Sequence, residues 1–349
     1  LIDEWQLAPQ LWDAIRYKID KQSKNNLFIL IGLASPIDKT LISHSGTGRI
    51  ARTTMRPMSL FQSNNSNGSV SLFNLFNGSK NVKGTSKTTL KELAFWICRR
   101  GWPGSLNKQE NTVLLQMKNY LKSIINSDLK IVDNVNRNSS WGESILKSYA
   151  RFIGSQTKTT KILKDIEENN SFTIFLSTLN SYLEVFKNSY VFEDVSTWNP
   201  NLRFKTAIQT SPTRYFCDLS IAVAALGAGP SDLIQDLKTM GFFENLCIRD
   251  LRTYVQSLDG DLYHYRDRYG LECDAIIHLR NGKYGLIKIK IGDPDEIDQA
   301  AKNMKKLVNN LNTEKMQNPS FMMVLVGIGS YAYRQEDNVL VVPISCLIN

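Results

Sequence analysis

Glu272-Cys273-Asp274-Ala275-Ile276-Ile277-His278-Leu279-Arg280 and, four residues on, Tyr284-Gly285-Leu286-Ile287-Lys288-Ile289-Lys290 decide the fold of the back of this chain. Both are apolar runs of strand length. A third strand candidate, 261–266, precedes them. Ahead of all three, Phe243, Cys247, Leu251, Val255 and Leu258 recur at helical spacing and predict a helix over 242–258. Behind them, Ile297, Ala301, Met304, Val308 and Leu311 form the apolar face of a second helix. Phe321 to Gly327 and Val339 to Val342 read as two more buried strands. The expected order is α-β-β-β-α-β with one further strand, an α/β domain over residues 213–349.

Charged residues interrupt this apolar pattern at particular places. Glu244 sits at the start of the first helix, Glu272 and Asp274 on one strand, Lys288 and Lys290 on the next. Metal-dependent nucleases of the PD-(D/E)xK type resemble this layout. In them a helix Glu, a strand Asp and a Glu two residues before a Lys surround Mg²⁺, the metal activates water, and the Lys steadies developing charge. The strand period of two puts residues 288 and 290 on one face. Here position 288 is Lys, and a cation in place of a carboxylate removes a ligand and repels the ion. The competing reading is a retained scaffold whose charged groups form ion pairs.

The front of the chain carries a different pair of acids. Leu1-Ile2-Asp3-Glu4 reads as a strand end followed by two carboxylates, the pattern of a Walker B motif. Asp3 would hold Mg²⁺ and Glu4 would polarise the attacking water. A helix over 7–22, with Leu11, Trp12, Ile15 and Ile19 on one face, leads to a buried strand at 28–32 and a short strand at 52–55. Arg49, after Gly46-Thr47-Gly48, is placed to reach a γ-phosphate, or else to pair with an acid on the surface. Asp3 and Glu4 have their own alternative as an exposed helix N-cap. The strand at 28–32 ends without a polar sensor, Ser35 being the nearest. No G-x-x-x-x-G-K-[ST] phosphate loop is found, and the expectation is a P-loop domain whose front half precedes Leu1. Residues 62–87, rich in Asn, Ser and Gly, read as a loop or linker closing a region of 1–87. Within it Gly84-Thr85-Ser86-Lys87 lacks the Gly-Lys-[ST] of a phosphate loop.

Between these ends, residues 88–212 predict helices at 89–100, 109–126, 142–154, 160–167 and 171–187. The last two suggest a helix-turn-helix, with Tyr190 to Val195 and Arg203 to Ile208 as a wing hairpin. Ser171, Thr173, Ser177, Asn180 and Ser181 would face outward from its second helix. Net charge is +9, with 11 Lys/Arg against 5 Asp/Glu in 1–87, 16 against 11 in 88–212, and 15 against 17 in 213–349. A basic front favours a DNA partner, a protein partner being the alternative and a lysine-rich solvated surface the plainest account. Five scattered cysteines without a C-x-x-C pair and three histidines argue against zinc and for a reducing cytoplasm. The longest apolar run, Phe321 to Val326, is too short to cross a bilayer.

Taken together the chain resembles prokaryotic AAA-type ATP-binding proteins with a C-terminal domain of unknown function 4143. The stretches that carry this are Leu1 to Gln6, His44 to Arg49, Arg56-Pro57-Met58-Ser59-Leu60, Gly101-Trp102-Pro103-Gly104, Thr213 to Asp218, Gly241 to Leu246, Tyr265 to Asp274 and the strand ending at Gly292. The resemblance implies a partial P-loop AAA-type domain, a helical winged-helix region and a nuclease-like domain. It implies ATP and Mg²⁺ as cofactors of the intact parent, Asp3 and Glu4 as Walker B, Arg49 as the family's Gly-Arg, and allows an oligomer. The family's Glu-x-Lys is Lys288-x-Lys290 in this sequence.

Overall fold

The computed structural model describes residues 1–22, 24, 27–32, 47–128, 135–199, 211–236, 241–311 and 317–349. At the front, helix α1 (Leu11–Gln22) buries Trp12 and Ile15. Trp5 packs on Trp12 at 5.0 Å between ring centroids, and the Arg52 guanidinium covers the same indole. Ile2 pairs in parallel with Leu30 through Ile2 N–H to Ile29 O and Ile31 N–H to Ile2 O, both 2.8 Å. The expected strand at 28–32 is therefore a single bridge, and it is not buried, since Ile29 is 63% exposed. Among the described residues no strand pairs with 52–55, which run as an irregular connection. His44, Ser45, Gly46 and Ser35 lie outside the described residues.

The stretch expected as a linker is ordered into short elements. Strand β1 (Val70–Ser71) leads straight into helix α2 (Leu72–Phe76), and strand β2 (Gly84–Thr85) follows. Leu60, Val70, Leu72, Leu75 and Phe76 are buried and anchor the segment on the sheet described below. Its small polar side chains bond backbone carbonyls where a longer ladder would otherwise do so. Ser63 Oγ donates to Ser59 O at 2.9 Å and Ser66 Oγ to Leu347 O at 2.7 Å. High Asn, Ser and Gly content here marks local hydrogen bonding rather than an unstructured connection.

A helical region follows: α3 (Leu90–Cys98), α4 (Glu110–Ser123), α5 (Ser139–Arg151), α6 (Thr159–Asn169), α7 (Leu176–Asn188), α8 (Leu219–Leu226) and α9 (Pro230–Asp236). Thr89 and Glu92 form a reciprocal capping box that fixes the start of α3. Asn138 caps α5 by accepting from the amides of Ser140 and Trp141. Helix α7 starts at Leu176, so Ser171 and Thr173 lie ahead of it and not on its face. Beyond α7, Phe192 bridges Phe216 and Val195 bridges Thr213 in antiparallel fashion. The hairpin partner of Tyr190 to Val195 is thus Thr213 to Phe216; Arg203 to Ile208 lie outside the described residues.

The last region begins with helix α10 (Phe242–Ser257), then strands β3 (Gly260–Arg266), β4 (Glu272–Leu279) and β5 (Tyr284–Lys290), helix α11 (Pro294–Asn310), and strands β6 (Phe321–Val326), β7 (Tyr331–Arg334), β8 (Leu340–Pro343) and β9 (Leu347–Ile348). The expected α-β-β-β-α-β order with its further strand, β8, is present, and β7 and β9 are additions to it. Seven strands form one mixed sheet in the order β2-β7-β8-β6-β5-β4-β3. The β3-β4-β5 meander is antiparallel, while β6 runs parallel to both β5 and β8. Ile277, Ile287, Met323 and Leu325 share one core with α10; Ile276, Leu286, Val324 and Val326 share the other with Met304 and Leu307 of α11. That alternation is the strand period of two, with a helix covering each face. Two-residue β2 is the last strand on one side, and Ser196 to Trp198 bond to His264 of β3 on the other.

Candidate functional site

The charged residues of the sheet region meet where β4, β5 and the start of α10 converge. Lys288 is buried, and its ammonium donates to Asp274 Oδ1 at 2.7 Å and to Glu272 Oε1 at 3.3 Å. Asp274 Oδ2 accepts from the Ile289 amide at 2.7 Å, so both of its oxygens are engaged. Register explains the contact: the β4–β5 ladder ends at Ala275 opposite Ile287, leaving Asp274 free to reach over the next amide. Burial alone would lower the affinity of Lys288 for its proton, but Asp274 and Glu272 outweigh it and hold the ammonium charged well beyond the usual lysine range.

Glu244 lies in the first turn of α10 and accepts a hydrogen bond from the Tyr215 hydroxyl. Its carboxyl is deeply enclosed, though the residue keeps some solvent contact through the cavity described below. Burial, and next the nearby Asp274 carboxylate, push its pKa up to about 8, against the downward pull of Tyr215 and Lys288. Burial and the Glu244 charge in turn hold the Tyr215 hydroxyl protonated. Glu244, Glu272, Asp274 and Lys288 are therefore one electrostatic cluster.

Whether this cluster suits a divalent cation is a question of its donors. The Lys288 ammonium lies between the two strand carboxylates, in contact with both. Among the described residues no group of three or more His, Cys, Asp and Glu side chains is arranged to hold a metal. The set does not fit Mg²⁺, because a covalently attached cation already neutralises the oxygens that would bind it.

Lys290, one pleat beyond Lys288, faces a cavity of about 450 Å³ instead of joining the cluster. The walls are Phe152, Gly154 and Lys161 from the helical region, and Gly241, Glu244 and Lys290 from the sheet region. Gly154 (φ +71°) and Gly241 touch backbone to backbone. A Cβ on Gly154 would come within 2.8 Å of the Gly241 Cα, and one on Gly241 within 2.7 Å of the Gly154 Cα. Glycine is required at both places for the two regions to meet this closely.

Helix α10 supplies the rest of the joint. Asn245 is fully buried; its side chain accepts from Phe216 N–H at 2.9 Å and donates to Phe216 O at 3.0 Å. Asp250 accepts from the Leu60 amide at 2.8 Å and pairs with Arg249 at 2.7 Å. Arg252 donates to Glu193 O, and Arg56 pairs with the Glu193 carboxylate at 2.5 Å. Gly101 N–H donates to Asp218 at 2.9 Å. Several stretches singled out in the sequence thus become one polar joint. Tyr215 and Asn245 were not anticipated as its members; their signal was only that Thr213 to Asp218 and Gly241 to Leu246 are distinctive runs.

The front acids are arranged differently. Asp3 is exposed and its Oδ1 accepts from the Glu4 amide at 3.0 Å. Glu4 is exposed with φ 51°, at the turn before the short helix Trp5–Leu7. Arg49 pairs with Asp20 on α1, Nε to Oδ1 at 2.5 Å, which is the surface pairing weighed above.

Two family models match the chain. One, described as a domain of unknown function (DUF8612), covers residues 90–232. The other, a domain of unknown function (DUF4143), covers residues 241–347. Neither carries an ATP-binding description. No curated protein matches the chain, and no solved structure does. No helix among the described residues is long and apolar enough to cross a membrane. The region that holds α10, Glu244, Asp274, Lys288 and Lys290 is a DUF4143 domain.

Proposed function

We infer that residues 90–347 work as a non-catalytic binding module on a nuclease-like scaffold, with nucleic acid as the partner. The observation that carries the non-catalytic part is Lys288 held between Asp274 and Glu272. Water activation on such a scaffold needs a divalent cation at those oxygens, and the ammonium offers no open coordination position. The α-β-β-β-α-β order supports the scaffold reading. Helices α5, α6 and α7, followed by the Phe192–Phe216 and Val195–Thr213 pairing, support a winged-helix reading of the helical region. Within the module, residues 90–212 hold 16 Lys and Arg against 11 Asp and Glu, and this excess supports a polyanionic partner.

Anisotropy of labelled duplex and single-stranded DNA, titrated with the chain in rising salt and with Mg²⁺ or Mn²⁺ present, tests this. Binding at low salt that falls steeply as salt rises, with intact DNA throughout, is the expected result. Absence of affinity at low salt removes nucleic acid as partner. Cleavage by the unaltered protein removes the non-catalytic reading. Lys288→Glu restores the Glu-x-Lys pattern, and nicking by that variant alone would identify Lys288 as the block.

A second reading rests on the parallel bridge between Ile2 and Leu30 across α1. The two bridged segments on either side of α1 support Asp3 and Glu4 as Walker B groups of an ATP-binding, AAA-type protein that needs Mg²⁺. ATP turnover by the protein and by Glu4→Gln decides it; equal rates take Glu4 out of the mechanism.

A further inference from the structure

Where helix α3 ends, two consecutive arginines, Arg99 and Arg100, are buried at 9% and 7% exposure. No carboxylate among the described residues lies within 4.0 Å of either guanidinium; the acids of the joint pair instead with Arg56, Arg214, Arg249 and Arg252. Asp218 is close enough for its charge to act on both, but its Oδ1 accepts from the Ser220 amide and its Oδ2 from the Gly101 amide. Arg249 and Asp250 also act on Arg99 and are bound to each other, so one carboxylate is left against two guanidinium groups. Arg99 donates from Nη2 to Ser63 Oγ at 3.0 Å, while its Nε meets no acceptor among the described residues. Arg100 Nε and Nη2 are buried and meet none either. Burial lowers the Arg100 pKa to about 10, against the opposite pull of Asp218. The Arg100 guanidinium lies over the rings of Trp102 and Tyr120, which stand 4.7 Å apart and 71° to each other. A ring face attracts the cation as a whole. The N–H bonds lie in the guanidinium plane and call for oxygen lone pairs there.

Nε and Nη2 are the two nitrogens of one guanidinium edge, the edge that donates two parallel N–H bonds to the two oxygens of a carboxylate. Trp102 is 38% exposed, and Pro103 and Gly104 after it are exposed too, so the indole is the outer cover of Arg100. Gly101 between them is pinned. Its amide donates to Asp218, its carbonyl accepts from the Met58 amide at 2.5 Å, and a Cβ there would come within 2.7 Å of the Pro57 Cβ. A change of side-chain rotamer turns the Trp102 ring outward without moving Gly101. We propose that the Arg100 edge is a carboxylate-binding site that opens when the Trp102 ring turns outward. The carboxylate belongs to an acidic segment of another protein or to a free small acid. A planar carboxylate suits the corner between two rings; a phosphate would set its remaining oxygens against ring carbons that donate nothing. The site uses none of the residues of the Lys288 cluster, and the assignment does not depend on the nucleic-acid reading.

The test follows the arginine Nε–H signals of the whole chain by proton–nitrogen correlation spectroscopy. The Arg100 signal is identified by its loss in Arg100→Lys, with matched thermal melts to show that the variant folds. Indole fluorescence of the unaltered chain, compared with Trp102→Ala, follows the same titrations without that variant. The probes, at equal ionic strength, are sodium acetate, the capped peptide acetyl-Gly-Glu-Gly-amide, the same peptide with Gln for Glu, and inorganic phosphate. The Arg100 signal is expected to shift saturably with acetate or the Glu peptide and to stay in place with the Gln peptide and phosphate. Trp102→Ala removes the ring that must be displaced and should bind the carboxylate about threefold or more tightly. A response to the Glu peptide alone, or more strongly to it, assigns the source to a protein segment; a stronger response to acetate assigns it to a free acid. No shift with either carboxylate, an equal shift with the Gln peptide or phosphate, or weaker binding in Trp102→Ala overturns the proposal. None of the probes is a nucleic acid, so this outcome is independent of the DNA titration above.

Discussion

Two places in this molecule carry the same ingredients, a pair of acids and a basic residue, and they differ in everything that burial controls. At the front, Asp3 and Glu4 are exposed and Arg49 is paired with Asp20 on a surface where side chains of the pair are 44% and 41% exposed. In the sheet region, Lys288 and Asp274 are 5% and 13% exposed and lie 2.7 Å apart. Water screens the first arrangement, so its geometry is weakly specified. The second has no such screening, and each group there must find a partner. Motif spelling is alike in the two places; the energy tied to it is not.

The sharpest way to break the contrast is Lys288→Met. It leaves Asp274 without its cation, while the half-exposed Glu272 keeps Arg266, and removing one partner of a buried pair costs about 3–5 kcal/mol. Urea unfolding should show a loss in that range, and Lys288→Met combined with Asp274→Asn should recover a large part of it. A loss under about 1 kcal/mol for the single change would mean that water reaches the site as freely as it reaches Arg49.

A smaller effect is expected from acid. His264 is buried on β3, with Gln156 at one ring nitrogen (3.0 Å) and Thr197 at the other (3.1 Å). Burial, and next the Arg266 charge, lower its pKa from 6.5 to about 4. The folded protein therefore binds this proton less readily than the unfolded chain does. Its contribution is complete above about pH 6.5 and is lost as the pH falls toward about 4, a change on the order of 3 kcal/mol. Denaturant midpoints measured across that window, in the protein and in His264→Gln, isolate the share due to this ring. An unchanged slope in the variant would assign the acid loss to carboxylates.

Period and length made the sheet region legible. The strands at 272–280 and 284–290 and the helix over 242–258 match the structure to within about two residues, because apolar repeats report on faces that are buried on both sides. The ion-pair alternative for Lys288 could be written down from the sequence, since a cation beside two acids has few other uses. What period cannot report is contact between distant segments. Residues 62–87 have no repeat, and their order comes from β9 and β7, more than 240 residues away. Tyr215 looked like part of the sheet region, yet it reaches Glu244 from the hairpin beside α7. The strand at 28–32 failed for a related reason: its apolar run is of strand length, but among the described residues only one bridge pairs with it. An apolar run predicts a buried strand only where something covers it.

The smallest expected effect completes the contrast. Arg49→Ala removes an exposed pair with Asp20, and such pairs contribute about 0–1 kcal/mol. Stability should change by less than about 0.5 kcal/mol, and by less still at high salt, since ions screen surface charge within about 10 Å. The same variant is informative for nucleotide chemistry. If Arg49 leaves Asp20 to meet a γ-phosphate, Arg49→Ala lowers ATP turnover with no matching loss of stability. If the arginine only ties the loop to α1, turnover is untouched. A stability loss of several kcal/mol would contradict both outcomes, because it would mean that the front pair is as shielded from solvent as Lys288.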